Sequence, residues 1–308
     1  MLLKSIESAK RHADFALLLQ TCHDYRRSRL PPLEVEDVRL WCNAQARRAP
    51  GPSPQAGRVR PTTEEKVISF AAVRARAEAR KGGAAALARL LPPKPDLEAL
   101  AALKDDRVLA EMAKRVFSAG FAWSVIESKW PGFEEAFLGF APARLLFEPD
   151  EFWERLTGDA RIVRNAAKIL SVRKNAGFVS AIAEEHGCFG RFLAKWSSSD
   201  EVGLLELLAK RGDRLGGNTG QMLLRFLGWD GFVTSKDVVA ALRDAGLDIG
   251  EEPKSKRELR LVQERFNAWA QETGLPYVQL SRICAMSIGE NYSTSEIERR
   301  RGREVHQE

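Results

Sequence analysis

The 308-residue sequence is poor in the residues that hold metals and bridges, with four cysteines and four histidines. Cys22, Cys42, Cys188 and Cys284 do not pair at zinc-site spacing, and the sole Cys/His neighbours are Cys22-His23 and His186-Gly187-Cys188. Four separate thiols in a reducing compartment are a simpler reading than a zinc site joined from those two distant pairs. No metal and no cofactor are expected. Long apolar runs are missing as well. Stretches such as Phe15–Leu19 fall far short of the ~20 residues that a membrane span requires. Lys10, Arg11 and Asp14 interrupt any apolar region near the start, so no signal peptide is read there. These absences leave a cytoplasmic protein as the expectation.

Period-two alternation is missing too, which excludes a conventional half-buried sheet. What is present has the period of a helix. Thr62 or Thr63 can cap a helix through Val67, Phe70 and Val73 that stops at Gly82-Gly83, and a short alanine-rich helix ends at Pro92-Pro93. Leu109, Met112 and Val116 share one helical face, and Ala119-Gly120 breaks that helix before another starts at Phe121. Ile162, Ala166, Ile169 and Ala176 mark a long helix, and Ser198-x-x-Glu201 has the form of a capping box. Further helices are expected over 235–245, 255–272 and 277–288. The chain is expected to be all-α.

Residues 1–61 read as a basic extension, with a short helix near Ser8–Gln20 and a Pro/Gly-rich linker around 49–57 that suits neither regular element. This extension need carry no fixed fold. Residues 62–290 form the helical domain, and 291–308 a charged tail. The net charge of +6 suggests an anionic partner, but residues 1–60 alone hold eleven Lys/Arg against six Asp/Glu. The other 248 residues are therefore at +1. Any nucleic-acid face must come from local patterning and helix N-termini.

One local pattern fits that requirement. A helix ending at Gly212 is followed by Leu215-Gly216-Gly217-Asn218-Thr219-Gly220, and a second helix starts at Gln221. Two short helices joined by such a turn can present backbone N–H groups to a phosphate, and this grips DNA without reading its sequence. The turn resembles the helix-hairpin-helix of the DNA glycosylase superfamily, whose usual form is Leu-Pro-Gly-x-Gly. Here Gly216 replaces the Pro and Thr219 the second Gly. The resemblance implies DNA contacts by Gly216, Gly217, Asn218, Thr219, Gly220 and Gln221. It also implies an essential Asp about 20 residues past the turn, and Asp237 stands 20 residues past Gly217. A carboxylate there would stabilise an oxocarbenium-like sugar and orient the attacking water. The bland alternative is that Asp237 only favours its helix N-terminus. Superfamily members that also cut the strand carry a lysine where this chain has Gln221, which cannot form a Schiff base.

Upstream, the order Ala119-Gly120-Phe121-Ala122-Trp123, then Phe133 to Pro142, then Arg161-Ile162-Val163-Arg164-Asn165-x-x-Lys168-Ile169 and Asn175-Ala176 resembles DNA-3-methyladenine glycosylase I. With the hairpin the resemblance spans roughly 108–240. It implies two helical lobes around a DNA-facing cleft. Trp123 would stack on an extruded base, where an indole favours an alkylated cationic purine. Phe117 and Phe121 would complete the pocket, and Arg164, Asn165 and Lys168 read as a solvated polar face.

The departures are as informative. The family's pocket glutamate falls at Arg115 or Val116, and the cysteines and histidines of its zinc clamp are missing. Asp237, conversely, is a residue that the family generally lacks. The expectation is a monomeric, monofunctional glycosylase of double-stranded DNA with 3-methyladenine as its base. A catalytically silent helix-hairpin-helix DNA-binding protein is the alternative, and a helical scaffold comes third.

Overall fold

In the computed structural model the described residues are 69–293 and 296. The basic extension, its helix near 8–20, the linker at 49–57, Cys22-His23 and nearly all of the charged tail lie outside them. Among the described residues the chain is all-α, with fourteen helices and two short 3-10 turns. No described helix is long and apolar enough to cross a membrane.

Two hydrophobic cores divide the helices into two lobes. The larger core runs from Leu100 to Trp229. It takes in helix α3 (Leu97–Ala101), α4 (Asp105–Ser118), α5 (Trp123–Ala136), α6 (Pro142–Phe147) and α7 (Asp150–Leu156). It continues through α8 (Ala166–His186), α9 (Phe189–Lys195), α10 (Glu201–Arg211) and α11 (Asn218–Phe226). The smaller core joins α1 (Phe70–Lys81) and α2 (Ala84–Leu90) to α12 (Lys236–Asp244), α13 (Lys256–Thr273) and α14 (Tyr277–Ser287). Phe70, Val73 and Ala77 of α1 are fully buried in this second core. The first described helices therefore complete the C-terminal lobe.

Most expected helices form for the expected reasons. Leu109, Met112 and Val116 lie on the buried face of α4, where each large apolar side chain contributes roughly 1.5–3 kcal/mol. Gly82 ends α1 in the left-handed conformation. Ser255 and Glu258 form a full capping box at α13.

Two local expectations are corrected. Ser198-x-x-Glu201 is not a capping box. Residues 198–200 form a 3-10 turn, and Asp200 caps α10 by accepting from the Gly203 N–H. Glu201 instead turns fully inward, and its Oε2 accepts from the Phe232 N–H at 2.7 Å. The polar cluster Asn165/Lys168 is not a solvated face either. Asn165 caps α8 by accepting from the Lys168 N–H. The Lys168 ammonium is buried and donates to Phe117 O at 3.1 Å and Ala119 O at 2.6 Å. It thus closes the carbonyl end of α4, where a cation is favoured. Burial pulls its pKa below the usual lysine value, with the charge of Arg214 adding to the effect.

Candidate active-site cleft

The two lobes face each other across a cleft of about 540 Å³, a size typical of small-molecule sites. Glu111, Lys114, Arg115, Trp123 and Phe226 are among the residues of its larger-lobe wall. Val233, Ser235, Val238 and Ser281 are among those of the opposite wall.

Trp123 opens α5, directly after the Ala119-Gly120 break, and its side chain lines the cleft as expected. Its ring stacks on Phe226 of α11, with centroids 5.6 Å apart and planes 23° apart. The guanidinium of Arg115 approaches both rings, at 4.0 Å from the Trp123 centroid and 3.9 Å from the Phe226 centroid. Arg115 is one of the two positions, with Val116, at which the resemblance would place a glutamate. Its side chain is only 3% exposed and its Nε meets Glu111 Oε1 at 2.6 Å, one helical turn away. On the same wall Lys114 Nζ pairs with Glu127 Oε1 at 2.8 Å and lies over the rings of Trp123 and Trp130. Both contacts are ion pairs without hydrogen-bond alignment, so Arg115 Nε, Glu111 Oε1 and Glu127 Oε1 are buried without a directed hydrogen bond. Burial outweighs the attraction of Arg115 and Lys114 and raises the pKa of Glu111. Burial likewise lowers that of Arg115, against the pull of Glu111 and Glu127.

The other expected pocket aromatics lie elsewhere. Phe117 is fully buried in the core, with its ring edge-on to Phe133 at 4.7 Å, so it is not a pocket wall. It lies on the inward face of α4, and the cleft takes Glu111, Lys114 and Arg115 from another side of the same helix. Phe121 is 45% exposed on the loop between α4 and α5, with the Lys168 ammonium 4.9 Å from its ring centre. It is not among the residues that line the cleft.

The two expected helices and the turn between them form, with one shift of boundary. Helix α11 begins at Asn218, three residues before the expected Gln221, with Gly217 as its cap at φ +59. An L-residue rarely adopts that angle. Gly220 is buried where a Cβ would stand 2.6 Å from Leu215 O. Glycine is thus required for the two helices to approach. Asn175 of α8 fixes the turn, accepting from the Asp213 N–H at 2.7 Å and donating to Asp213 O at 3.1 Å. Gly216, Gly217 and Asn218 are exposed and Thr219 is half-buried. Gln221 is buried, and its Oε1 accepts from both N and Oγ1 of Thr234. It therefore faces the loop that leads to Asp237 and not the outer surface of the hairpin.

That loop, residues 228–235, is held from several sides. Asp230 Oδ1 accepts from the Val278 N–H, Phe232 donates to Glu201 and Val233 donates to Ser281 Oγ. Beneath it, burial pushes the Glu201 carboxyl well above the ordinary carboxylate range, and its Oε1 has no hydrogen-bond partner among the described residues. Burial raises the pKa of Asp230 as well. Ser235 then caps α12 by accepting from the Val238 N–H. Asp237 follows in the first turn, half-buried, with its carboxylate against Gly289. Ser235 and Val238, three residues apart on one side of α12, line the cleft, and Asp237 does not. Asp237 has no ion pair with a described residue. The two carboxylates that line the cleft, Glu111 and Glu127, went unread in the sequence. Glu111 pairs with Arg115 at i,i+4 within α4, whereas the pairing of Glu127 with Lys114 depends on how α4 meets α5.

Among the described residues no group of His, Cys, Asp and Glu side chains could hold a metal ion. Cys188 caps α9, its Sγ accepting from the Arg191 N–H. Cys284 is buried, which pushes its thiol up to about 12.

Residues 100–205 match the model of the methyladenine glycosylase family, so the resemblance holds across the upstream segment. No curated protein matches the chain significantly. Among solved structures it is similar to the 3-methyladenine DNA glycosylase I of Staphylococcus aureus, at 22% identity and a TM-score of 0.37, over 41% of this chain and 77% of that one. A second 3-methyladenine DNA glycosylase I is 20% identical with a TM-score of 0.35, over 44% and 80% of the two chains.

Proposed function

We propose that this protein is a monofunctional DNA glycosylase, which hydrolyses the N-glycosidic bond of a damaged, alkylated purine after the base rotates out of duplex DNA into the cleft. The family match over residues 100–205 carries this reading, because that segment supplies the cleft wall bearing Trp123. The exposed turn at Gly216, Gly217 and Asn218, leading into the N-terminus of α11, would take a DNA phosphate through backbone N–H groups. Thr219 and Gly220 belong to the same turn as parts of its frame. Gln221 acts as a positioning residue: it fixes the Thr234 end of the loop before Asp237.

Asp237 is the carboxylate that this reading assigns to the sugar. Glu111 and Glu127 line the cleft, but their charge is engaged by Arg115 and Lys114, which weakens their pull on an oxocarbenium-like centre. Asp237 is half-buried on the lobe facing Trp123, one residue from the cleft-lining Val238, and forms no ion pair with a described residue. Extrusion of the base follows from the chemistry, since the glycosidic bond is out of reach within the stack. Phe121, exposed beside the cleft helix, would meet DNA and not the extruded base. The protein would act as a monomer. 3-Methyladenine is the first base to assay, on the strength of the resemblance.

A second reading is a catalytically silent DNA-binding protein. It is favoured by Arg115, which already occupies the aromatic clamp, and by the absence of Asp237 from the cleft wall. Release of free base from duplexes carrying alkylated purines separates the two. The glycosylase reading expects release by the wild type, and duplex binding without release from any substrate supports the silent protein.

A further inference from the structure

The Trp123/Phe226 pair is built to hold a planar cation, and it already holds one. The guanidinium of Arg115 lies about 4 Å from each ring centre, well within the range over which a cation is attracted to an aromatic face. An N3- or N7-methylated purine in DNA is itself a planar cation. Brought to the same rings, it would find the place of a cation already taken by the Arg115 guanidinium. On the same wall Lys114 pairs with Glu127 as Arg115 does with Glu111, and Arg225 adds a further cation to the lining.

We infer that Arg115 determines the specificity of the cleft, turning it toward an uncharged purine whose edge offers hydrogen-bond acceptors, such as a 6-oxopurine, and away from methylated purine cations. This rests on the glycosylase reading above and narrows its substrate class. The second observation behind it is hydrogen-bonding capacity. Arg115 Nε is taken by Glu111 at 2.6 Å, whereas no described residue accepts from its two Nη groups. A guanidinium is a fork of donors with no acceptor of its own, and it matches the O6/N7 edge of an oxopurine. On the far wall Ser235 and Ser281 add hydroxyls that can donate or accept. A pocket with a carboxylate at this position would prefer the cation. With arginine there, the preference reverses.

The test uses the full chain with duplexes that each carry one modified purine: N3-methyladenine or N7-methylguanine as cations, hypoxanthine as the uncharged oxopurine. Because the cationic bases leave far more readily without any enzyme, release is compared as the enhancement over each base's spontaneous loss. On that scale the wild type is expected to favour hypoxanthine about tenfold or more, the discrimination that one bidentate arginine contact supplies. Arg115→Met, which keeps most of the volume but no charge, should erase that preference, and Arg115→Lys should retain its direction. Equal or greater enhancement for the cationic bases by the wild type overturns the inference and leaves the glycosylase reading intact. A separate readout, quenching of tryptophan fluorescence by 9-methylhypoxanthine against the 3,9-dimethyladeninium cation, needs no catalysis. Stronger quenching by the neutral base with no release from any duplex would uphold the pocket preference and reject the glycosylase. Equal quenching by the two ligands would reject the preference. Should Arg115→Met fail to fold, Arg115→Lys and the wild type decide the matter through the same two assays.

Discussion

Arg115 and Glu111 form a buried ion pair one helical turn apart on α4, with Nε and Oε1 separated by 2.6 Å. The pair holds the guanidinium against Trp123 and Phe226, so it sets the charge of the cleft as well as the packing of its wall. Removing one partner strands the other in a site with little water. Glu111→Leu is expected to cost roughly 3–5 kcal/mol, whereas Glu111→Leu combined with Arg115→Met should recover most of that loss. Urea titrations of the two single variants and the double variant measure the coupling. Additive losses would mean that the pair does not act as a unit.

Glu201 predicts a pH dependence of stability. Burial raises its folded-state pKa above that of the unfolded chain. Its contribution is therefore fully present below the ordinary carboxylate pKa and is lost as pH climbs toward the folded value. Across that window the slope should be about 1.4 kcal/mol per pH unit for one proton. Glu201→Gln, whose amide oxygen can still accept from the Phe232 N–H, should remove this slope and resist alkali better than the wild type. Denaturant melts at a series of pH values would show it. Parallel curves for the two proteins would contradict the assignment.

Lys168 is expected to matter for folding and not for DNA. Its ammonium donates to two carbonyls at the end of α4, and hydrogen bonds from a charged group contribute roughly 1.5–3 kcal/mol. Lys168→Met should lower the melting temperature while leaving the salt dependence of duplex binding unchanged. A reduced salt slope would instead place Lys168 on a phosphate.

The hairpin prediction is the converse. Gly217→Val puts a β-branched residue at φ +59 on an exposed turn, where its strain falls on the N–H groups proposed to take a phosphate. Duplex affinity should fall about tenfold or more, uniformly across sequences. Asn175→Leu, which removes both bonds to Asp213, should weaken duplex binding in the same uniform way and lower stability by roughly 1–3 kcal/mol. Unchanged duplex binding in both variants would remove the hairpin from the DNA interface.

The helices were legible in the sequence because apolar periodicity and terminal glycines report local structure directly, as in α4 and at Gly82. The polar residues were less so. Asn165, Lys168 and Asn175 belong to a motif whose order was readable, but their bonds reach Phe117, Ala119 and Asp213, which local spacing cannot reveal. Glu201 imitated a capping box, and tertiary burial against Phe232 took its carboxylate instead. Trp123 lines the cleft. Phe117, six residues before it, falls on the inward face of its helix and joins the core. The missing glutamate at Arg115 or Val116 was visible as a departure from the resembling family's pattern. The seat of Arg115 between Trp123 and Phe226 depends on α11 returning beside α4 and could not be read from the chain alone.

Single-turnover release of base from duplexes bearing one damaged purine, with wild type and Asp237→Asn compared at saturating enzyme, tests the central claim most directly. The account predicts release by the wild type, a drop of about a hundredfold or more in the variant, and unchanged duplex affinity. Tight duplex binding by the wild type with no base released from any substrate would contradict it.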